Sequence, residues 1–504
     1  MRLRLLSICA LLFAFELAFL PRPGIMEDEA LFVAPFFRNN PALYSWRIGA
    51  LDIPVMSMSY VGAFKSWLYW PIFHLWPPGV WSTRLPVCIL SLLTLALFAD
   101  LVRRATDSRI AIAAALFLAT DAVFVLIDVF DMTVCLLLLG TVAFLNLLSR
   151  QSFAAAFFVA GISLWYKANF IFPLAGIALG FALIYPGAVR RCLSPRNVLL
   201  AVVAFGIGAA PLIGFNLRHP AATLRASGDL PTVPPAEKLM MLRRTLDGRA
   251  FEHYMFRSTA GERIPLQGAE LGDLVLAWYS GSNFHPGSLL LPALILALLA
   301  LPFLGNSPFL RPLLFAWVAC AVTFGFMFVL RDAGAGPHHT VLLYPAPQFI
   351  VAATATALCR RLGAAWRAPA FAALVVLIAG SGVWLLGEYL RAARENGFSV
   401  FWTDGLSNLA EAVHSEGLPV AVLDWGIHNG LQIETRDRIM IDEDIALREN
   451  FLYVEHCAGY IIDESRWKSF KASLTASRFR PSPTRVIPDR EGHPVFCIFR
   501  LEEK

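Results

Sequence analysis

The chain has 504 residues, of which 57% are hydrophobic and only 16% charged, with a formal net charge of +5. Ordinary soluble domains carry roughly 25% charged residues, so this balance does not fit a cytosolic enzyme, a disordered chain or a DNA-binding protein driven by basic charge. The mean hydropathy of +0.60 points instead to a membrane protein.

Acidic residues are unevenly spread, with none in the 97 residues from Met132 to Gly228 and none in the 58 from Leu274 to Arg331. Carboxylates are costly in hydrocarbon, and a spanning helix needs about 20 mostly apolar residues. Eleven segments meet that pattern: 3–20, 85–102, 110–127, 132–148, 153–169, 170–189, 197–217, 287–304, 312–330, 340–358 and 369–388. The first follows Arg2 and Arg4 as a signal peptide would, but it lacks a small-residue cleavage site and reads as a retained helix. The fifth and sixth form one apolar run, and Lys167-Ala-Asn169 marks a turn between them. With the N-terminus in the cytoplasm, the cytoplasmic ends carry Arg103, Arg104, Arg150, Arg190, Arg196, Arg311, Arg360, Arg361 and Arg367, as the positive-inside rule requires.

The first outer loop, 21–84, opens with Glu27-Asp28-Glu29. Three carboxylates at the water–lipid boundary are either a solvated cap or a source of general base. Farther on, Lys65 lies among Tyr60, Phe64, Trp67, Tyr69 and Trp70, as a snorkelling ammonium or an anion-binding cation. Arg84-Leu-Pro86 opens the second span against the charge trend. Asp121, Asp128 and Asp131 surround the hairpin between spans three and four. Asp121 reads as a water-exposed tip, and the other two as groups that orient cations or line a site. Lys167 interrupts its long apolar run and needs an anionic partner. A second outer loop, 218–286, is rich in Arg and Pro. Adjacent His338 and His339 precede Tyr344-Pro345 at the outer start of the tenth span. Neighbouring helix positions do not face each other, so the pair suits phosphate recognition better than a shared metal.

The tail, 390–504, has apolar runs at Val420–Asp424 and Gly459–Asp463 that read as strands, with a helical pattern at Leu406–His414 between them. That alternation implies a small extracytoplasmic α/β domain following a membrane domain of residues 1–389. Six of the eight cysteines lie in apolar runs, whereas Cys457 and Cys497 lie in the tail and can pair if it is extracytoplasmic.

Asp28-Glu29-Ala30, the aromatic segment Lys65-Ser-Trp-Leu-Tyr-Trp70, Arg84-Leu-Pro86, Tyr166-Lys167, and His338-His339 before Tyr344-Pro345 occur in that order and on one side. In this the chain resembles the GT-C glycosyltransferases that use polyprenyl-phosphate sugars, in particular the protein O-mannosyltransferase and aminoarabinose-transferase group (glycosyltransferase family 39 and its relatives). The family's lysine segment often reads Lys-Pro-Pro-Leu-Tyr-Tyr-Trp; the prolines are missing here. The resemblance covers about residues 1–390. It implies a GT-C-like polytopic α-helical fold and an inverting transfer of one sugar from a polyprenyl phosphate to an acceptor hydroxyl on a glycan, lipid or protein. Asp28 would be the base with Glu29 assisting. Lys65, Arg84, Lys167, His338, His339 and Tyr344 would contact the donor phosphate, and Glu27, Asp128 and Asp131 would line the site. No metal, cofactor or nucleic acid is implied, and the expected setting is a bacterial inner membrane with a periplasmic site. Three other readings stand beside it. A transporter or flippase would show internal symmetry, which is not found. A metal-dependent oligosaccharyltransferase-like enzyme would use Asp28, Asp128 and Asp131 as ligands. A membrane anchor for a working tail would leave the ordered outer charges without a purpose.

Overall fold

Apolar runs without interior carboxylates can satisfy their backbone groups in hydrocarbon by coiling into helices. The computed structural model describes residues 1–504 except 38–41, 50, 230–231, 257–286, 306, 332, 396 and 458–460. It begins with α1 (Arg2–Phe19) and the one-turn α2 (Glu27–Leu31). A small antiparallel sheet follows, β1 (Tyr44–Ile48), β2 (Leu51–Met58) and β3 (Val61–Gly62). The helices then run as α3 (Phe64–Leu75), α4 (Val80–Ala105), α5 (Ser108–Ala119), α6 (Ala122–Val129), α7 (Cys135–Ser149) and α8 (Phe153–Tyr166). They continue as α9 (Ile171–Ile184), α10 (Pro186–Cys192), α11 (Pro195–Gly208) and α12 (Ala210–Arg218). Of the segment 218–286, residues 230–231 and 257–286 lie outside the described part.

By length and composition α4, Leu310–Val329 and Ala364–Glu395 are each able to cross a membrane alone. Three further pairs qualify only as bent units: α5 with α6 at 61°, α11 with α12 at 68°, and Pro337–Leu343 with Ala346–Cys359 at 40°. Each of the eleven apolar segments read from the sequence coincides with one of these helices or pairs, with a shorter apolar helix, or with α1, and length and composition qualify up to six as spans.

The breaks have local causes. The Asp121 side chain accepts Phe124 N at 3.0 Å and caps α6, so the chain restarts there. Glycines let α8 and α11 cross backbone to backbone. A Cβ on Gly161 would lie 2.4 Å from Phe205 O, and one on Gly208 2.4 Å from Phe158 O. Small residues at such crossings are the usual route to close helix packing in membranes.

In the tail β4 (Val420–Val422) is parallel to both β5 (Ile441–Asp442) and β6 (Leu452–His456), and β7 (Arg485–Pro488) pairs with β8 (Pro494–Phe499), which is antiparallel to β6, so the five-stranded sheet runs β5-β4-β6-β8-β7. Strand β4 falls where the apolar run predicts it. Of the strand expected over 459–463, residues 459–460 lie outside the described residues and Ile461–Asp463 are not in a strand, while β6 occupies Leu452–His456. Short apolar runs look alike until pairing selects one. Cys457 and Cys497 form a disulfide with a Cα–Cα distance of 5.1 Å, the geometry the sequence could not supply.

The boundary expected at 389/390 lies inside the helix Ala364–Glu395. Beyond it, Phe398 and Trp402 pack into the membrane core, with Trp402 against Phe130 and Tyr254, and the tail's own core begins at Leu406.

Candidate active site

The acidic turn is fixed from two directions. Met26 N donates to Glu29 Oε1 at 3.1 Å, closing a capping box at the start of α2. Successive residues of a helix point about 100° apart, so Glu27, Asp28 and Glu29 face three different surroundings. Glu29 meets Arg84, whose Nε and Nη2 each lie 2.7 Å from one of its oxygens. The remaining guanidinium donors go to Leu20 O, Pro23 O and Gly24 O at 2.8–2.9 Å. Arg84 is 0% exposed and all its donors are taken. The expectation that it contacts a donor phosphate is therefore corrected: it clamps Glu29 and the 20–24 turn. The bidentate pair is the strong form of a charge-assisted hydrogen bond.

Glu27 faces the tail. Its carboxylate accepts Asn429 N at 3.1 Å and the Asn429 side-chain amide. Burial holds its carboxyl above the usual carboxylate range, with the Asn429 hydrogen bond opposing. Asp28 is the half-buried one of the three. Its carboxylate makes no hydrogen bond among the described residues. Burial raises its pKa, while Lys167 and Lys65 pull the other way through their fields. Tyr254 also stands within the electrostatic reach of Asp28.

The two lysines come from elements joined by the small sheet β1–β3. Strand β3 bridges to Lys167 through Val61, and Ala168 N donates to Tyr60 O at 2.9 Å. Trp165 Nε1 donates to Val55 O at 3.0 Å. Gly62 is needed there, since a Cβ would lie 2.3 Å from Trp165 O. Helix α3 begins just after β3, so Lys65 sits in its first turn beside the end of α8. Lys65 Nζ lies 3.0 Å from Asp131 Oδ2, both side chains being buried. Lys167 Nζ donates to Thr133 Oγ1 at 2.6 Å and is also within reach of Asp131's field. Asp131 Oδ1 accepts Val134 N and Cys135 N at 2.7 and 3.0 Å. Thr133 has φ +64°. A β-branched residue in that region costs of order 1–3 kcal/mol, and such strain clusters at functional sites.

His338 lies within reach of Lys167's field, and its Nδ1 has no partner among the described residues. His339 Nδ1 accepts Gly334 N at 3.1 Å. Tyr344 is buried, its hydroxyl 3.2 Å from Asp121 Oδ2 and 3.0 Å from Thr245 O, so it belongs to a structural network rather than to the lysine cluster. That network also corrects the reading of Asp121 as a water-exposed tip: it is 4% exposed and additionally accepts Gln348 Nε2 at 3.2 Å. Asp128 is buried in α6 in the field of Glu16 and Asp131, with Oδ2 unpartnered among the described residues. Among the described residues no group of three His, Cys, Asp or Glu side chains is placed to hold a metal ion.

The structure thus gathers Asp28, Lys65, Lys167, Asp131 and His338, and sends Arg84 and Tyr344 to structural duties. Sequence reading missed Asn429, Thr133 and Tyr254. Only Thr133 carries a local hint, following the acid Asp131 at a helix start.

The sequence profile of the dolichyl-phosphate-mannose-protein mannosyltransferase family matches residues 62–214. Among curated proteins none matches the sequence. Among solved structures, ArnT from Cupriavidus metallidurans in the apo state is similar with a TM-score of 0.61 at 14% identity, over 98% of this chain and 97% of that one. The same protein bound to undecaprenyl phosphate gives 0.58 at 14% identity, with 98% and 97% covered. The oligosaccharyltransferase AglB from Archaeoglobus fulgidus, in complex with an inhibitory peptide and a dolichol-phosphate, gives 0.48 at 12% identity, over 99% and 74%. The likeness to ArnT shows the GT-C fold, and the resemblance to the ArnT and O-mannosyltransferase group stands.

Proposed function

We propose that this chain is an integral-membrane, inverting glycosyltransferase that moves one sugar from a polyprenyl-phosphate donor to an acceptor hydroxyl on the extracytoplasmic side. The observation that carries this reading is the Asp28 carboxylate, without a hydrogen bond among the described residues and standing in the field of two buried lysines. Asp28 removes the proton of the acceptor hydroxyl. The acceptor oxygen attacks the anomeric carbon as the bond from that carbon to the phosphate oxygen breaks, which inverts the centre. The leaving polyprenyl phosphate gains negative charge, and Lys167, Lys65 and His338 are placed to stabilise it. A base is most effective when its pKa approaches the working pH, the direction in which burial moves Asp28. Two ammonium groups supply the charge that a divalent cation would otherwise bring, so we expect no metal requirement. The family-profile match over 62–214 spans Lys65 and Lys167, and a solved relative of the same fold binds undecaprenyl phosphate, which supports the donor class.

Two observations support the outer side. The Arg84 end of α4 carries the site, and its other end carries Arg103 and Arg104, which pair with Asp100, as does Arg150. Nineteen residues of helix span roughly 28 Å, about the hydrocarbon thickness, and clustered arginines favour the cytoplasm. The tail also contains a disulfide, which persists in oxidising compartments. In a bacterium the proposed setting is the inner membrane, with the site facing the periplasm.

The test is transfer by purified protein from radiolabelled polyprenyl-phosphate sugars to a membrane-glycan extract. Wild type is expected to transfer with or without EDTA, and Asp28→Asn, which keeps shape and removes the base, is expected to lose at least about 100-fold. Loss of transfer with EDTA would favour the metal-dependent oligosaccharyltransferase-like reading. Failure to bind any such donor would favour a transporter.

A further inference from the structure

If Asp28 is the base, its carboxylate must be held at one place between the lysines and the acceptor. Building on that reading, we propose that Asn429 of the tail is a positioning residue for Asp28, acting through Glu27, so that the tail completes the active site.

Helix α2 has five residues, barely more than one turn. Such a helix has no stability of its own, so its orientation comes from what grips it. Arg84 grips one side through Glu29. The opposing grip comes from the tail, where both Glu27 oxygens are taken by Asn429. Glu27 is 5% exposed. Burying an acid costs several kcal/mol unless hydrogen bonds compensate, and among the described residues the hydrogen bonds to its carboxylate come from Asn429, 402 positions away in sequence. The contact is close along its length. A Cβ on Gly430 would lie 3.1 Å from Ile25 O, and one on Gly24 2.4 Å from Thr403 O. Ile433 packs with Ile25, Ala30, Val33 and Tyr69. Attachment of the tail as such has other means, the half-exposed Arg22 pairing with Asp404 and Glu491. The Glu27–Asn429 contact instead lies one residue from the base, on the same turn of helix.

The experiment uses the full-length protein in detergent or nanodiscs with polyprenyl-phosphate sugar, measuring kcat, donor affinity and melting in parallel. Asn429→Asp sets a carboxylate against Glu27. Misplacement by about 1 Å is worth up to ~100-fold in rate, so kcat is expected to fall ~10–100-fold with donor affinity unchanged. Glu27→Gln added to Asn429→Asp rebuilds the amide–carboxylate pair with its partners exchanged, and is expected to restore most of kcat. Full kcat in Asn429→Asp, a loss confined to donor affinity, or a loss that Glu27→Gln leaves unrepaired would each overturn the proposal. If Asn429→Asp does not fold, Glu27→Gln alone decides: a lower kcat with wild-type donor affinity supports the proposal, and an unchanged kcat overturns it. Asp28→Asn runs alongside as the control on the reaction itself. A wild type without transfer strikes the glycosyltransferase reading, and an active Asp28→Asn strikes Asp28 as its base; an active wild type with Asn429→Asp at full rate strikes only this inference.

Discussion

Replacing Arg84 by Met separates the two roles an outer-face arginine can have. In the structure the pair Arg84–Glu29 is 0% and 1% exposed, with 2.7 Å contacts and three further carbonyls on the guanidinium. Arg84→Met leaves the Glu29 carboxylate buried without a counter-charge, a change that costs about 3–5 kcal/mol. Whole domains are stable by only about 5–15 kcal/mol, so the loss is a large share. Arg84→Lys keeps the charge but not the planar fork, and should fall between wild type and Arg84→Met. Adding Glu29→Gln to Arg84→Met removes the stranded charge while keeping an acceptor for Met26 N. The double variant should therefore melt higher than Arg84→Met alone. Thermal melting in one detergent, with donor affinity on the same samples, reads out both roles. Arg84→Met with wild-type melting and weakened donor binding would refute the clamp and return Arg84 to the phosphate.

Several other outcomes follow from the same geometry. Because burial raises the Asp28 pKa, the acid limb of kcat/KM should lie above about 4, the ordinary aspartate value; a limb at or below that value contradicts the environment described. The sign for stability is opposite to that of a salt-bridged acid: the folded state holds the proton more tightly, so ionising Asp28 removes stability as pH rises. Unreduced, denatured protein should expose six reactive thiols and reduced protein eight. Since Cys457 and Cys497 are 40 residues apart, replacing both by Ser should cost the tail about 4 kcal/mol on the loop-closure estimate. Gly161→Ala pushes a methyl against Phe205 O and should cost about 1–3 kcal/mol. Gly206→Ala, with nothing within 4 Å, should leave melting unchanged or raise it.

What could be read from the sequence was whatever a single stretch of chain decides. Acid-free apolar runs marked the helices, and Lys167-Ala-Asn169 marked the break after α8, because hydrocarbon imposes its demand locally. The acidic motif and the two lysines were legible for the same reason, each being out of place in its own surroundings. Roles set by distant partners were not. Arg84 looked like a free outer cation because Glu29 lies 55 residues earlier. Asp121 looked like an exposed tip because Tyr344 lies 223 residues later. Asn429 carried no signal at all, since an asparagine at the start of a short helix is ordinary until Glu27 is set against it.

The passage from the membrane part into the tail has a consequence for how such a chain can be rearranged. Domains are commonly joined by exposed, slack segments where sequence can be cut, lengthened or exchanged. Here the helix Ala364–Glu395 leads directly to Phe398 and Trp402, both sunk in the membrane core. One residue added within that helix would turn everything beyond it by about 100° and advance it by about 1.5 Å, while the buried rings hold their places. Transplanting the tail onto another scaffold would succeed only if the cut fell after Trp402, at the point where the tail's own core takes over.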